Sequence, residues 1–268
     1  RSSAASDVYK RQLYTYLHIA ADRPQMDALL QYKVKGVAYE TLLERNHTLP
    51  LLAPMSQIAG RLSIQEGAKY LEKPFGGSGM LLSGVPGTPK AKVVILGAGI
   101  VGTNACKIAV GMGAQVSIVD INLERLAYLD DVFGARIQTL YSTDAVIEKE
   151  LASADLVVGS ILIPGKAAPK VGKAAYLKNM KPGSVIVDVA VDQGGCFETT
   201  HVTYHDNPTY VVDGVVHYCV GNMPGAVPRT STIALTNATL KYGLQIANKG
   251  LEGACKENDV MYLSLIHI

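Results

Sequence analysis

The 268-residue chain is 48% hydrophobic and 18% charged, a balance that supports one large or two modest apolar cores and excludes an intrinsically disordered chain. Its 25 basic and 23 acidic residues leave a formal charge of +2, and with no dense run of Lys or Arg there is no surface suited to a nucleic-acid backbone or an anionic membrane. Cys106, Cys196, Cys219 and Cys255 lack CxxC spacing, which argues against a zinc site or a disulfide framework and for buried thiols in a reducing cytoplasm. No apolar stretch is long enough to span a bilayer, so a soluble, unexported protein is expected.

Taken in chain order, residues 1–12 show no apolar period and resemble a translated adapter, as do residues 263–268 at the other end. Both are set aside as non-native. Residues 13–20 alternate loosely and are rich in aromatics, which predicts a strand, followed by a helix over 24–31 and a short strand over 34–39. Residues 49–54 read as a crossing segment, with Ser56 as the N-cap of a long helix over 57–71. A glycine-rich loop follows. Beyond Lys90, apolar runs at 93–96, 116–120, 137–140, 156–161, 185–189 and 215–220 alternate with helical stretches at 102–110, 123–132, 145–151 and 173–180, and a long helix is predicted over 230–248. Short, nearly all-apolar runs separated by helices predict an α/β, doubly wound Rossmann-type parallel sheet, with ligands at the carboxyl ends of its strands. The implied organisation is a dinucleotide-binding domain over 51–228 and a second, discontinuous and incomplete substrate domain made of 13–50 and 229–262.

Gly97, Gly99 and Gly102 fit GxGxxG directly after the 93–96 strand and at the opening of a helix, and Asp120 closes the next strand. A glycine triplet alone is common in turns, but this context assigns each residue a task. Gly97 permits the tight turn, Gly99 admits a pyrophosphate close to backbone, and Gly102 lets the helix pack on the strand. Helix N-terminal amides favour the phosphate charge. Asp120 would accept hydrogen bonds from the adenosine ribose and repel a 2′-phosphate, which selects NAD over NADP. Arg125 reads either as an adenosine contact or as a solvated helix charge. His217, in an apolar strand, reads as a satisfied core residue rather than a catalyst.

Several segments resemble alanine dehydrogenase: LYTYLHIAA at 13–21, AYET at 38–41, PMSQIAGR at 54–61, YLEKP at 70–74, VDVAVDQGGCFE at 187–198 and NMPGAVPRTST at 222–232. They run in unbroken order from about residue 13 to about 262. The resemblance implies NAD-dependent interconversion of L-alanine with pyruvate and ammonia. It makes His18 the histidine that hydrogen-bonds the substrate's carbonyl oxygen and Asp192 the carboxylate that moves protons and activates water. In that reaction hydride leaves the alanine Cα, giving an iminium that water attacks, so one group must transfer protons and another must stabilise developing charge on oxygen. Taken singly, His18 is a structural histidine in an aromatic strand and Asp192 a turn-capping aspartate, although its place at a strand's carboxyl end favours chemistry.

Further cofactor contacts implied by the resemblance are Ser56, Ser142, Ile161, Leu162, Val189, Ala190, Val191, Asp192, Val220, Gly221, Asn222 and Met223. Ser56 and Asn222 would bond the pyrophosphate or the nicotinamide ribose, and Ile161 and Leu162 would form an apolar wall. Seen singly, Ile161 and Leu162 are core residues and Ser142 is an N-cap. The resemblance also implies a hexamer, and an upstream segment, absent before Leu13, whose arginine and lysine hold the substrate. The chain as written is therefore expected to bind NAD at best and to turn over alanine poorly. Two other readings are weighed: the soluble nucleotide-binding part of a proton-translocating transhydrogenase, which would pass hydride to a second nucleotide, and a non-catalytic NAD-binding protein. The His18 segment and DQGGCFE favour the dehydrogenase.

Overall fold

The computed structural model describes residues 12–17, 19, 22–45, 48–163, 167–258, 260–261 and 265–266. The chain divides into two units, Arg1–Met55 with Arg229–Ile268, and Ser56–Pro228. In the first unit β1 (Gln12–Thr15) runs parallel to β2 (Lys35–Ala38) through α1 (Arg23–Gln31), whose N-cap Asp22 accepts from the Gln25 amide at 2.9 Å. β10 (Leu265–Ile266), from the closing segment set aside above, pairs antiparallel with β2. Tyr39 receives the edges of Tyr14 and Tyr16, with ring centroids 4.5 and 5.1 Å apart. The Tyr14 hydroxyl donates to the Thr239 carbonyl at 2.8 Å, on α7 (Pro228–Glu257). That helix is longer than the predicted 230–248, and its φ/ψ break at Gly250.

The second unit is built on β3 (Lys92–Leu96), β4 (Gln115–Asp120), β5 (Ile137–Tyr141), β6 (Leu156–Gly159), β7 (Val185–Asp188), β8 (Thr209–Val212) and β9 (Val215–Tyr218). Among the described residues they form one sheet in the order β5-β4-β3-β6-β7-β9-β8, parallel except for the β8–β9 pair. Successive strand residues feed opposite faces. Val93, Ile95, Val116, Ile118, Val158, Val185 and Val187 enter one core, while Val94, Leu96, Val119, Val157 and Ile186 enter the other. Both faces are therefore dry, which explains why these strands read as unbroken apolar runs. Full burial of each Val, Ile or Leu contributes roughly 1.5–3 kcal/mol.

The sheet is covered by α3 (Ile100–Gly111), α4 (Leu123–Phe133), α5 (Asp144–Ser153) and the short α6 (Ala174–Leu177). Asn122 caps α4, accepting from the Arg125 amide at 3.0 Å, and Thr143 caps α5, accepting from the Val146 amide at 3.2 Å. The latter corrects the reading of Ser142 as a cap. Ser56 is not a cap either, because α2 (Ala53–Tyr70) has already begun. Pro54 lies in its first turn, where a missing N–H costs nothing, so it opens the helix instead of ending a crossing segment. The runs read as 156–161, 185–189 and 215–220 stop at Gly159, Asp188 and Tyr218, and the residues beyond become loops. β8 was not predicted. It joins β9 through Asp213 and Gly214, with φ of 48° and 78°, the left-handed pair a tight hairpin requires.

His217 is buried, with Nδ1 bonded to the Val215 carbonyl at 3.0 Å and Nε2 to the Thr199 hydroxyl at 2.9 Å. It is a satisfied core residue. Burial holds its imidazole below the ordinary value of about 6.5. The folded state thus keeps it neutral where the unfolded chain binds a proton, so its contribution is intact above pH 6.5 and is lost as pH falls below that. The thermal midpoint is expected to drop on acidification through this window, with a shallower slope in His217→Gln.

Candidate cofactor site and catalytic loop

The carboxyl ends of β3, β4, β6 and β7 lie side by side, and the direction of strand order reverses between β3 and β6. This is the switch point at which doubly wound sheets bind ligands. The chain leaves β3 into Gly97, whose N–H donates to the Val119 carbonyl at 2.8 Å and whose φ of 104° excludes most side chains. A Cβ on Gly102 would stand 1.8 Å from the Gly97 carbonyl oxygen, so only glycine lets α3 pack this closely. Gly99 caps α3, and a Cβ there would meet no protein atom within 4 Å. The first-turn amides of α3 have no partner within the helix, and they carry its partial positive charge.

Asp120 is tied into this loop. Its carboxylate accepts from the Ala98 amide at 2.5 Å and from the Asn122 amide at 2.8 Å. Arg125 donates through Nε to the Ala98 carbonyl at 3.1 Å and through Nη2 to the Thr103 hydroxyl at 2.8 Å, and its guanidinium lies over the Tyr128 ring. It is therefore a brace of the glycine loop rather than a solvated charge. Ser160, which the motif does not reveal, donates to the carbonyls of Leu96 and Gly97 at 2.8 and 3.0 Å. Ser142 follows β5, and its amide donates to the Asp120 carbonyl at 3.0 Å. After Ser160, Ile161 is partly buried against the core and Leu162 is exposed.

A second group forms beyond β7. Val189 donates its amide to the Gly159 carbonyl at 2.9 Å, and Ala190 and Val191 are buried. Asp192 sits exposed in the 3-10 turn Val191–Gln193. Its Oδ2 accepts from the Asn222 amide at 3.3 Å, and a Cβ on Gly221 would stand 2.9 Å from its Oδ1. Asn222 holds a left-handed conformation with φ of 55°, and Val220 and Met223 on either side are buried. Asp188, also unflagged in the sequence, is wholly buried, and burial raises its carboxyl above the ordinary carboxylate range while three hydrogen bonds oppose that shift.

The structure thus brings together Gly97, Gly99, Gly102, Asp120, Arg125 and Ser142 as one group, and Asp192, Gly221 and Asn222 as another. Ser56 lies half-buried in the first turn of α2 and is hydrogen-bonded by its side chain to neither. His18 lies outside the described residues. The four cysteines are buried and free. Among the described residues no helix is long and apolar enough to cross a membrane, and no cluster of His, Cys, Asp or Glu is arranged to hold a metal ion. The open approach at Gly99, the amides of α3 and the Asp120 carboxylate fit a dinucleotide: donors and space for a pyrophosphate, an acceptor for a ribose.

Two family patterns match the chain, described as "Alanine dehydrogenase/PNT, C-terminal domain" over residues 63–267 and "Alanine dehydrogenase/PNT, N-terminal domain" over residues 7–59. Alanine dehydrogenase of Methanococcus maripaludis is 59% identical over 254 residues, covering 94% of this chain and 68% of the relative. A solved L-alanine dehydrogenase superposes with a TM-score of 0.94 at 54% identity, over 99% of this chain and 74% of that one. A transhydrogenase from Sinorhizobium meliloti superposes with a TM-score of 0.83 at 20% identity, over 99% of this chain and 76% of that one, a likeness of fold alone. Matched over nearly its whole length by both patterns and by a relative of such high identity, the chain belongs to the alanine dehydrogenase family.

Proposed function

We propose that the protein catalyses the NAD-dependent oxidative deamination of L-alanine to pyruvate and ammonia, and the reverse reductive amination. The observation that carries the reading is the glycine loop of Gly97, Gly99 and Gly102 tied to the Asp120 carboxylate, in a chain 59% identical to an alanine dehydrogenase. The transhydrogenase alternative has only 20% identity behind it.

In this proposal the α3 amides and the backbone at Gly99 hold the pyrophosphate, and Asp120 takes the adenosine ribose hydroxyls. Arg125 keeps the loop in shape from behind. Ser56, Ser142, Ile161, Leu162, the run from Val189 to Asp192 and the run from Val220 to Met223 line the rest of the cofactor's path. When bound, the nicotinamide ring supplies the acceptor for the hydride leaving the alanine Cα. Asp192, an exposed carboxylate steadied by the Asn222 amide, moves the proton when water adds. His18 bonds the carbonyl oxygen of pyruvate. The proposal extends to a homohexamer.

Assay of the protein expressed from its own gene tests this. L-alanine-dependent reduction of NAD, and ammonia-dependent reduction of pyruvate by NADH, are expected. Hydride transfer to a second nucleotide without use of alanine would establish the transhydrogenase reading instead, and tight NAD binding without turnover the non-catalytic one. Asp120→Ala should weaken NAD about 10- to 100-fold, as expected for losing a charge-assisted hydrogen bond of roughly 1.5–3 kcal/mol, with a smaller effect on kcat at saturation. Calorimetric titration and steady-state kinetics read the two effects separately.

A further inference from the structure

The last residue of β7 is a carboxylate with no exposed surface, Asp188, on a strand otherwise made of Val185, Ile186 and Val187. An uncompensated charge there would cost several kcal/mol, and an apolar residue would serve the core at least as well. What the carboxylate does instead is gather donors. Oδ1 accepts from the Ala190 amide at 3.1 Å, and Oδ2 accepts from the Cys196 amide at 2.7 Å and from the Thr200 hydroxyl at 2.7 Å. Residues 190 and 196 are the two ends of the loop whose middle is Asp192.

The rest of the loop is closed around the same carboxylate. The Ala190 carbonyl accepts from the Gln193 amide at 2.9 Å and the Gly195 amide at 3.0 Å. Lys170 donates to the Gly194 carbonyl and, at 2.7 Å, to the Phe197 carbonyl, while the Ala168 amide donates to the Gln193 carbonyl at 2.8 Å. Two glycines clear room for the buried group: a Cβ on Gly195 would stand 2.7 Å from Asp188 Oδ2, and one on Gly159 would stand 3.1 Å from Oδ1. Asp192 itself meets the rest of the protein through the Gly221–Asn222 turn.

We propose that Asp188 is a positioning residue for the reaction: by anchoring both ends of the 190–196 loop it sets where the Asp192 carboxylate stands relative to Asn222. The inference rests on the reading of Asp192 as the proton-moving group. Asparagine at position 188 keeps one acceptor oxygen but turns an NH₂ toward a backbone donor, so one end of the loop comes free. Small errors in placing a catalytic group have large kinetic effects, since reacting geometry is held to within about half an ångström.

The test compares Asp188→Asn, Thr200→Val and Thr200→Ser in the protein expressed from its own gene. Amide hydrogen exchange at Ala190 and Cys196 is read with kcat, the dissociation constant for NAD and the thermal midpoint. Asp188→Asn should speed exchange at one or both amides by roughly tenfold or more and lower kcat by roughly 30-fold or more, with a several-fold smaller loss of NAD affinity. Thr200→Val, which removes one of the three donors, should lower kcat by about fivefold, and Thr200→Ser, which restores a hydroxyl, should recover it. The Thr200 pair carries the comparison if Asp188→Asn does not fold. Unchanged exchange, or a kcat loss that only follows the fall in thermal midpoint or NAD affinity, overturns the proposal. Should the unsubstituted protein fail to oxidise alanine, the catalytic reading falls on its own, and the exchange rates still decide whether Asp188 anchors the loop.

Discussion

Gly102→Ala is expected to abolish measurable NAD binding and to lower stability, while Gly99→Ala loses affinity and leaves stability intact. The two substitutions add the same methyl group to different surroundings. At position 102 the new Cβ would stand 1.8 Å from the Gly97 carbonyl oxygen and 2.9 Å from the Ser160 hydroxyl. The helix must back away from the strand, an overpacking that costs roughly 1–3 kcal/mol, and the turn that aims the loop amides is displaced with it. An affinity loss of at least about 100-fold corresponds to roughly 2.7 kcal/mol. At position 99, φ is −69° and the methyl would meet no protein atom, so the fold has no reason to respond. A bound pyrophosphate does, because the methyl would occupy its line of approach, and about a tenfold weakening is expected. Denaturant unfolding and calorimetric titration separate the pair. Wild-type affinity in Gly99→Ala would remove this loop from the cofactor site.

Asp192→Asn is expected to lower kcat by roughly 10²–10⁴, the usual contribution of a positioned acid–base group, with a far smaller effect on NAD affinity. The replacement is close to isosteric, and its amide oxygen can still accept from the Asn222 amide, so the turn that Asp192 touches is retained. What disappears is the ability to take and return a proton. Single-turnover kinetics place the loss in the chemical step, and equilibrium titration shows affinity changed far less than rate. A kcat within a few-fold of wild type would assign the proton transfer to another residue.

The parallel sheet was legible in the sequence because strands dry on both faces leave little for hydrophobicity to alternate with, and 93–96 or 116–120 cannot be mistaken for a half-exposed strand. The cofactor loop was legible because three glycines and an acid at fixed spacing answer to local geometry. What depends on distant chain was not. Asp188 looks like the polar start of a loop until Cys196 and Thr200 fold back onto it. Ser160 looks like the end of a strand until its hydroxyl is seen on the Leu96 and Gly97 carbonyls. Two misses were local. Asp213-Gly214 is a strong hairpin signal, and its recognition would have found β8. Pro54 was placed in the crossing segment although proline is favoured at the opening of a helix.

Asp120 is at once a proposed ligand for ribose and a fastening for the Ala98 amide. Redesign toward a phosphorylated dinucleotide usually begins by exchanging such an acid for a small or basic residue. Here that exchange would also strip the Ala98 amide of its acceptor, leaving the turn to the Arg125 brace and to the bonds that Val119 and Ser160 make to Gly97. Cofactor preference in this scaffold is therefore coupled to loop order, and a successful swap must first supply the Ala98 N–H with a replacement acceptor.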